Sequence, residues 1–279
     1  MPGNFGVLQL SGCAGCEVSL LNAEDWVGRQ QLAYMPLVLS ADDLPPVDIL
    51  LVSGAVRTDE DLYRLRMAAK GAPILIAVGT CAISGGVANL GDREDVRAVF
   101  FAEMERRHVP RLLPKLHPVD AIVPVTRYLP GCPPMPHLFI TALFGPSDIK
   151  MPASVCLGCG RKKTRDRPQR LRGIQEAVPD PEVCLINQGY LCIGSSTRGG
   201  CRAPCTRAGN ACVGCRGPSD GFISRSSQEW LAAIHKVFAR LTDIPSEEID
   251  RALRSPQLAL FIFQFADYSA TPRPAAKVL

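Results

Sequence analysis

Phe5-Gly6-Val7-Leu8-Gln9-Leu10 runs directly into Ser11-Gly12-Cys13-Ala14-Gly15-Cys16-Glu17, and the reading of these residues decides the fold of the first half of the chain. A short continuous apolar run bounded by a glycine-bearing turn predicts a strand buried on both faces. Residues Glu17–Gln30 then predict a helix after a tight loop. The pattern recurs downstream. Val47–Val52 predicts a second buried strand, with Pro36–Leu39 as a short strand before it. Asp59–Lys70 predicts a helix whose Leu62, Leu65, Arg66 and Ala69 form one stripe, ended by Gly71-Ala72-Pro73. Ile74–Val78 is the next strand, Glu94–Arg107 an amphipathic helix, Ala121–Val125 a further strand, and Pro134–Phe144 a helix entered through prolines. Alternation of this kind implies an α/β domain over residues 1–147, built on a parallel sheet.

Near Gly145 the character changes. Cys156–Gly221 holds eight of the twelve cysteines, with many Gly and Arg and little periodicity. Such a segment buries too little apolar surface to order itself, so metal links must supply much of its order. Ser226–Leu241 then predicts an amphipathic helix, with Trp230, Leu231, Ile234, Val237, Phe238 and Leu241 on one side. Glu247–Leu253 predicts a shorter helix capped by Ser246. The Pro- and Ala-rich tail from Thr271 reads as loose unless a partner holds it. The second domain is therefore residues 148–279, loop-dominated and cysteine-rich, with C-terminal helices.

No apolar run approaches the ~18 residues that a membrane span requires; the greasiest, Leu258–Phe263, is far shorter. Met1–Leu10 lacks the basic and long apolar regions of a secretory signal, so the expected location is the cytoplasm unless a partner subunit carries the export signal. There, thiols stay reduced, and twelve cysteines point to metal rather than to disulfides. The formal charge of +4 counts those cysteines as neutral. Twelve thiolates around three clusters of about −2 each would bring it to roughly −2. Without an aromatic-studded basic stripe, the charge is no argument for nucleic acid.

The first half has four cysteines, Cys13, Cys16, Cys81 and Cys132, each just beyond a predicted strand. Sites in open parallel sheets form outside the carboxyl ends of strands, so thiolates from three loops should converge on one edge. Four such thiolates suit a 4Fe–4S cluster or a structural zinc. A flavin would need its phosphate loop after the first strand, where this chain spends two positions on cysteine. Eight further cysteines, Cys156, Cys159, Cys184, Cys192, Cys201, Cys205, Cys212 and Cys215, match the ligand count of two more 4Fe–4S clusters. A zinc ribbon built on Cys156/Cys159 and Cys212/Cys215 would leave four cysteines unexplained.

The C-x-G-C-E loop at Cys13–Glu17, the G-T-C-A loop at Gly79–Ala82 and the G-C-P-P turn at Gly131–Pro134 resemble the proximal-cluster signature of nickel–iron hydrogenase small subunits. The resemblance continues through Cys184-Leu185 to Cys192, Gly199-Gly200-Cys201-Arg202-Ala203-Pro204-Cys205 and Cys212-Val213-Gly214-Cys215, and so spans residues 11 to about 217. It implies a flavodoxin-like domain with a proximal cluster on Cys13, Cys16, Cys81 and Cys132. It also implies a distal cluster on Cys156, Cys159, Cys184 and Cys192, and a medial one on Cys201, Cys205, Cys212 and Cys215; Cys192 and Cys201 remain open to exchange. Related loops occur in the homologous complex I subunit, which typically has adjacent cysteines in the first loop and no second cysteine-rich domain. Many export-type hydrogenases carry histidine where Cys156 stands, together with a three-iron medial cluster. Both departures bring the chain closer to the cytoplasmic branch that reduces soluble carriers: heterodisulfide-reductase-linked, deazaflavin-reducing and sulfhydrogenase types.

The resemblance further implies a large partner subunit holding the nickel–iron centre, because its paired C-x2-C motifs are absent here. A downstream electron-accepting subunit or soluble carrier follows. On the same resemblance, dihydrogen would be split in the partner, and electrons would enter at the first cysteine set, cross the middle one and leave through the outermost. The alternative is a complex-I-like or ferredoxin-type carrier without hydrogenase activity. Glu17, directly after Cys16, is either a first-turn acid favoured by the helix dipole or a proton-transfer group facing the partner's active site. Arg161, Lys162, Lys163, Arg165, Arg167, Arg170 and Arg172 form either a solvated loop or a docking patch for an acidic acceptor. His108, His117, His137 and His235 show no ligand spacing and are read as structural.

Overall fold

A computed structural model describes residues 3–40, 43–100, 109–145, 151–219, 227–254 and 277–278. The chain divides into two compact units, Met1–Ile149 with Pro274–Leu279, and Lys150–Arg273.

The first unit is a six-stranded parallel sheet. Its strands are β1 (Asn4–Gln9), β2 (Gln31–Tyr34), β3 (Ile49–Ser53), β5 (Ile74–Val78), β7 (Arg127–Leu129) and β8 (Lys277–Val278), in the order β2-β1-β3-β5-β7-β8. The first five follow the flavodoxin-like 2-1-3-4-5 order when counted within the sheet. β1 and β3 pair in register from Phe5–Ile49 to Gln9–Ser53, and β3 and β5 from Ile49–Ile74 to Ser53–Val78. Both faces of this centre are covered. Leu8, Leu50, Val52, Leu75 and Ala77 share one core with Leu65 of α2 (Asp59–Lys70). A two-stranded antiparallel ribbon, β4 (Val56–Thr58) with β6 (Leu112–His117), lies outside the sheet and has no counterpart in the sequence-based expectations.

Helix α2 matches its expected bounds because Thr58 and Asp61 form a reciprocal capping box. Elsewhere the local pattern misled. The helix expected over Glu17–Gln30 is α1 (Gly15–Leu21), capped at Asn22 and followed by a 3-10 turn at Glu24–Trp26. The strand expected at Pro36–Leu39 is a turn, in which the Val38 and Leu39 amides both donate to Met35 O. The strand lies instead at Gln31–Tyr34, beside β1. Ala121–Val125 is likewise not a strand. Val123 packs into the core while its amide donates back to Val119, Pro124 offers no amide, and sheet bonding resumes where Thr126 donates to Leu75 O at 2.8 Å.

Of the helix expected over Glu94–Arg107, α4 spans Glu94–Phe100, and 101–108 lie outside the described residues. The helix expected at Pro134–Phe144 is α5 (Pro136–Phe144). α3 (Gly79–Ser84) follows β5 directly. The tail expected to be loose adds β8 to the sheet edge through Lys277–Val278; Leu258–Phe263 and the rest of the tail lie outside the described residues.

In the second unit regular structure is sparse between 151 and 219: α6 (Cys156–Cys159), a 3-10 turn at Ile186–Gln188 and α7 (Pro204–Arg207). α8 (Ser227–Leu241) and α9 (Ser246–Arg254) close it, with Ile234, Phe238, Ile249 and Leu253 buried and His235 Nε2 2.8 Å from Asp250 Oδ1. Among the described residues no helix is long and apolar enough to cross a membrane.

Asp61 holds more than its own helix. Its Oδ2 accepts from the Ser11 hydroxyl at 2.7 Å and from the Arg57 and Thr58 amides at 3.0 Å each. Replacing it with alanine leaves one buried and two part-buried donors without this acceptor, at up to ~1–3 kcal/mol each. Asp61→Ala is therefore expected to lower unfolding stability by about 3 kcal/mol, measurable by denaturant titration; a loss below ~0.5 kcal/mol would contradict it.

Candidate iron–sulfur sites

The first four cysteines lie on three loops at the carboxyl edge of the sheet. Cys13 and Cys16 follow β1, Cys81 sits in α3 directly after β5, and Cys132 follows β7. Together with Glu17, Ser53, Gly54 and Thr80 they line one cavity of about 50 Å³. The loops are stitched to one another. The Ser11 amide donates to Ala55 O and the Ala55 amide to Ser11 O, while the Thr80 amide and hydroxyl both donate to Gly131 O, at 2.9 and 3.1 Å. The Ser19 hydroxyl donates to Pro134 O at 2.5 Å, tying α1 to the Cys132 turn. A Cβ on Gly79, which has φ +80°, would fall 2.5 Å from Cys16 Sγ, so the loop permits this thiol approach only with glycine there.

Burial pushes the Cys16 thiol well above its ordinary range, and the charges of Glu17, Cys81, Cys132 and Cys13 add to the effect. Burial likewise raises Cys81. Two thiols that resist deprotonation when left to themselves are ones that a bound cation must hold as thiolates. The donors are soft sulfurs of the kind iron–sulfur clusters take. Among the described residues no three Cys, His, Asp or Glu side chains close on a single-ion site. The residues present fit a cluster.

Glu17 is 2% exposed, in the first turn of α1, and accepts a hydrogen bond from the Ser53 hydroxyl. Ser53, at the end of β3, escaped the sequence reading, because nothing local to Val52-Ser53-Gly54 signals a partner 36 residues away.

In the second unit, burial and then the charges of Cys192, Cys184 and Cys159 push the Cys156 thiol up to about 12. Burial pushes Cys192 up to about 11. The charges of Cys184 and Cys159 act on Cys192 as well as on Cys156. Cys212 feels Cys192 and Cys215, and its amide donates to Cys192 Sγ at 3.3 Å, so one contact joins this group to the next. Cys205 is carried by α7 and lies exposed. All twelve cysteines are free of disulfides.

Two arginines unnoticed in the sequence lie among these loops. Arg198 is 3% exposed and Arg216 2%. Burial, then the like charge of Arg198, pulls Arg216 down to about 10, against the pull of Cys201 and Cys215 in the other direction.

The basic run is divided in its roles. Arg161 donates to Thr206 O at 2.7 Å, to Val183 O at 2.9 Å and to Asp180 O, joining three cysteine-bearing segments. Arg167 donates to Ala239 O, Arg240 O and Thr242 O and pairs with Asp243 at the end of α8, and Arg170 pairs with Glu176. Lys162, Lys163 and Arg165 are exposed. Lys163 is near enough to Cys156 to offset part of the rise in its thiol.

Known proteins are similar to this chain over much of its length. The family described as "NADH ubiquinone oxidoreductase, 20 Kd subunit" matches residues 13–145, the part carrying the first cysteine set. A vhu-type F420-non-reducing hydrogenase subunit of Methanococcus voltae is 34% identical over 243 residues, 80% of this chain and 85% of that protein. The delta subunit of sulfhydrogenase 2 from Pyrococcus furiosus is 30% identical over 261 residues, 90% of this chain and 98% of that protein. The actinobacterial-type NiFe-hydrogenase from Ralstonia eutropha H16 shares the fold, with a TM-score of 0.53 at 15% identity, covering 91% of this chain and 87% of the matched one. The matches to the two hydrogenase subunits extend well past residue 145, beyond the segment that the 20 Kd family matches. The chain belongs to the family of iron–sulfur small subunits of nickel–iron hydrogenases.

Proposed function

We propose that this chain is the electron relay of such a hydrogenase, holding three 4Fe–4S clusters between the dihydrogen-activating centre of a large subunit and an external acceptor. The observation that carries the reading is the cavity lined by Cys13, Cys16, Cys81 and Cys132, four disulfide-free thiols from three loops of one sheet edge. Those four hold the proximal cluster. Cys156, Cys159, Cys184 and Cys192 hold the distal one, and Cys201, Cys205, Cys212 and Cys215 the medial one. When bound, each cluster takes up and returns one electron. The chain's own part is to fix the sulfurs, keep water away and direct amides and charges at them. Free thiols in this number suit a reducing compartment, which favours a cytoplasmic assembly.

Iron and acid-labile sulfide analysis of the anaerobically purified assembly, with electron paramagnetic resonance, tests the reading. Three cubanes, a brown colour and a copurifying nickel-bearing subunit are expected. A colourless, sulfide-free sample would refute it in favour of zinc, and iron without nickel would favour the complex-I-like carrier to which the residue 13–145 match is akin.

Glu17, buried beside the cavity and held by Ser53, is proposed to pass protons toward the partner's active site. Glu17→Gln preserves the shape and the hydrogen bond but not the exchangeable charge. Dihydrogen turnover should fall about 100-fold, with an altered pH profile; unchanged turnover across pH would remove Glu17 from the mechanism. Lys162, Lys163 and Arg165 are proposed as the docking patch for an acidic acceptor. The acceptor-reduction rate should then fall as salt rises, since exposed charges are screened beyond ~8 Å at 0.15 M. A salt-independent rate would return the patch to ordinary solvated surface.

A further inference from the structure

Among the described residues of Lys150–Arg273, the buried charged side chains other than cysteine are both cations, Arg198 and Arg216. Arg216 is among the largest fully buried side chains of the protein. It directly follows Cys215, and its Nη2 lies against Gly200, where a Cβ would sit 3.4 Å away. Gly200, at φ +96°, directly precedes Cys201. One guanidinium is thus wedged between the two chain segments that present Cys201 and Cys215, with Arg198 as its charged neighbour. Burying a cation is costly unless anionic groups compensate it, and two side by side cost more. Thiolates carrying a net-negative cluster are compensation of that kind, and the attraction works in both directions.

We infer that Arg216, supported by Arg198, is a positioning residue that raises the reduction potential of the cluster held by Cys201, Cys205, Cys212 and Cys215. This rests on the proposed assignment of those four cysteines. The physics is a single charge balance. One electron, delivered by dihydrogen oxidation or by a chemical reductant, adds one negative charge to the thiolate-held group and changes no bond to Arg216. A fixed positive charge in a low-dielectric interior stabilises the more negative, reduced form, so the midpoint potential rises. Arginine stays charged at neutral pH in either redox state.

The test is a redox titration of the intact hydrogenase assembly, monitored by electron paramagnetic resonance, with iron content measured in parallel. Arg216→Gln and Arg216→Met should each move one of the three cluster signals to a more negative potential. The shift should be at least a tenfold change in the reduced-to-oxidised ratio at fixed potential, about 59 mV for one electron. Arg216→Lys, which keeps the charge, should recover most of it. A wild-type assembly lacking the iron, sulfide and cluster signals refutes the cysteine assignment itself. A wild type with all three signals, and neutral variants that keep full iron without a shift, refutes only the role of Arg216. Neutral variants that lose iron while the lysine variant retains it also overturn the inference, in favour of a charge needed to hold the cluster rather than to set its potential.

Discussion

Gly79→Ala is expected to cost the first cysteine set its cluster while leaving the parallel sheet folded. The new Cβ would lie 2.5 Å from Cys16 Sγ and 3.5 Å from Gly131 O, at a backbone φ of +80°. The conformational cost of an L-residue in that region is about 1–2 kcal/mol, which a sheet with this core tolerates. The steric overlap is resolved most cheaply by rotating the Cys16 side chain away, since a thiol is easier to move than backbone. Rotation saves the fold and breaks the quartet, because the displaced sulfur leaves the cavity it shares with Cys13, Cys81 and Cys132. Cluster affinity should drop by about 10–100-fold, the scale of lost supporting interactions at metal sites. Iron content and the signal of the dihydrogen-reduced assembly report it directly, with far-ultraviolet circular dichroism as the control for folding. Full iron with an unaltered signal would show that the loop absorbs the methyl group, and would count against the tight seating of Cys16.

Stripping the iron is expected to unfold 151–219 while β1, β3 and β5 hold. Across that segment the helices are α6 and α7, four residues each, far below the ~12–15 residues at which an isolated helix becomes even marginal. What order the segment has without metal comes from scattered loop–loop backbone bonds such as Lys162 N to Glu182 O, a few buried apolar side chains such as Leu185, Ile186 and Ile193, and side chains bonding to loop backbone. Asn187 Nδ2 donates to Asp166 O at 2.9 Å and to Leu241 O at 3.3 Å, and Arg161 spans three loops. These bonds contribute ~1 kcal/mol each, against roughly 1–2 kcal/mol of backbone entropy per ordered residue. Metal–thiolate links are on another scale: structural zinc in small domains provides ~10–16 kcal/mol. After chelation under oxidising conditions and removal of iron, hydrogen exchange should show the amides of 151–219 unprotected. Those at Phe5–Gln9, Ile49–Ser53 and Ile74–Val78, each paired within the sheet, should stay near global protection. Retained protection in 151–219 would mean that the segment is ordered by packing, and that the metal is a guest rather than a structural necessity.

Several features were legible from neighbouring residues alone. The helix over Asp59–Lys70 was legible from its apolar stripe, and its start holds because the capping box lies within the four consecutive residues Thr58 to Asp61. Val47–Val52, observed as Ile49–Ser53, and Ile74–Val78 read as strands because a sheet covered on both faces needs continuous apolar runs. Cysteines placed immediately after such strands pointed to one sheet edge because parallel strands end there together. The misreadings share a cause: an apolar run specifies burial, not its backbone partner. Ala121–Val125 is buried but not paired, Gln31–Tyr34 is paired but not strongly apolar, and Glu17–Gln30 stops being helix at Asn22, where a loop begins.

By itself, then, the sequence determined that this protein has a parallel α/β half and a cysteine-rich half poor in regular structure, and that its cysteine loops follow the pattern of hydrogenase iron–sulfur small subunits. Local spacing and residue chemistry carry that information. Only the tertiary structure decided that Ser53 holds Glu17, that Gly79 seats Cys16, and that Arg216 and Arg198 lie buried among the cysteine loops. Each of those depends on the electrostatics or contact of groups that share a site through folding, and no short stretch of sequence records such meetings.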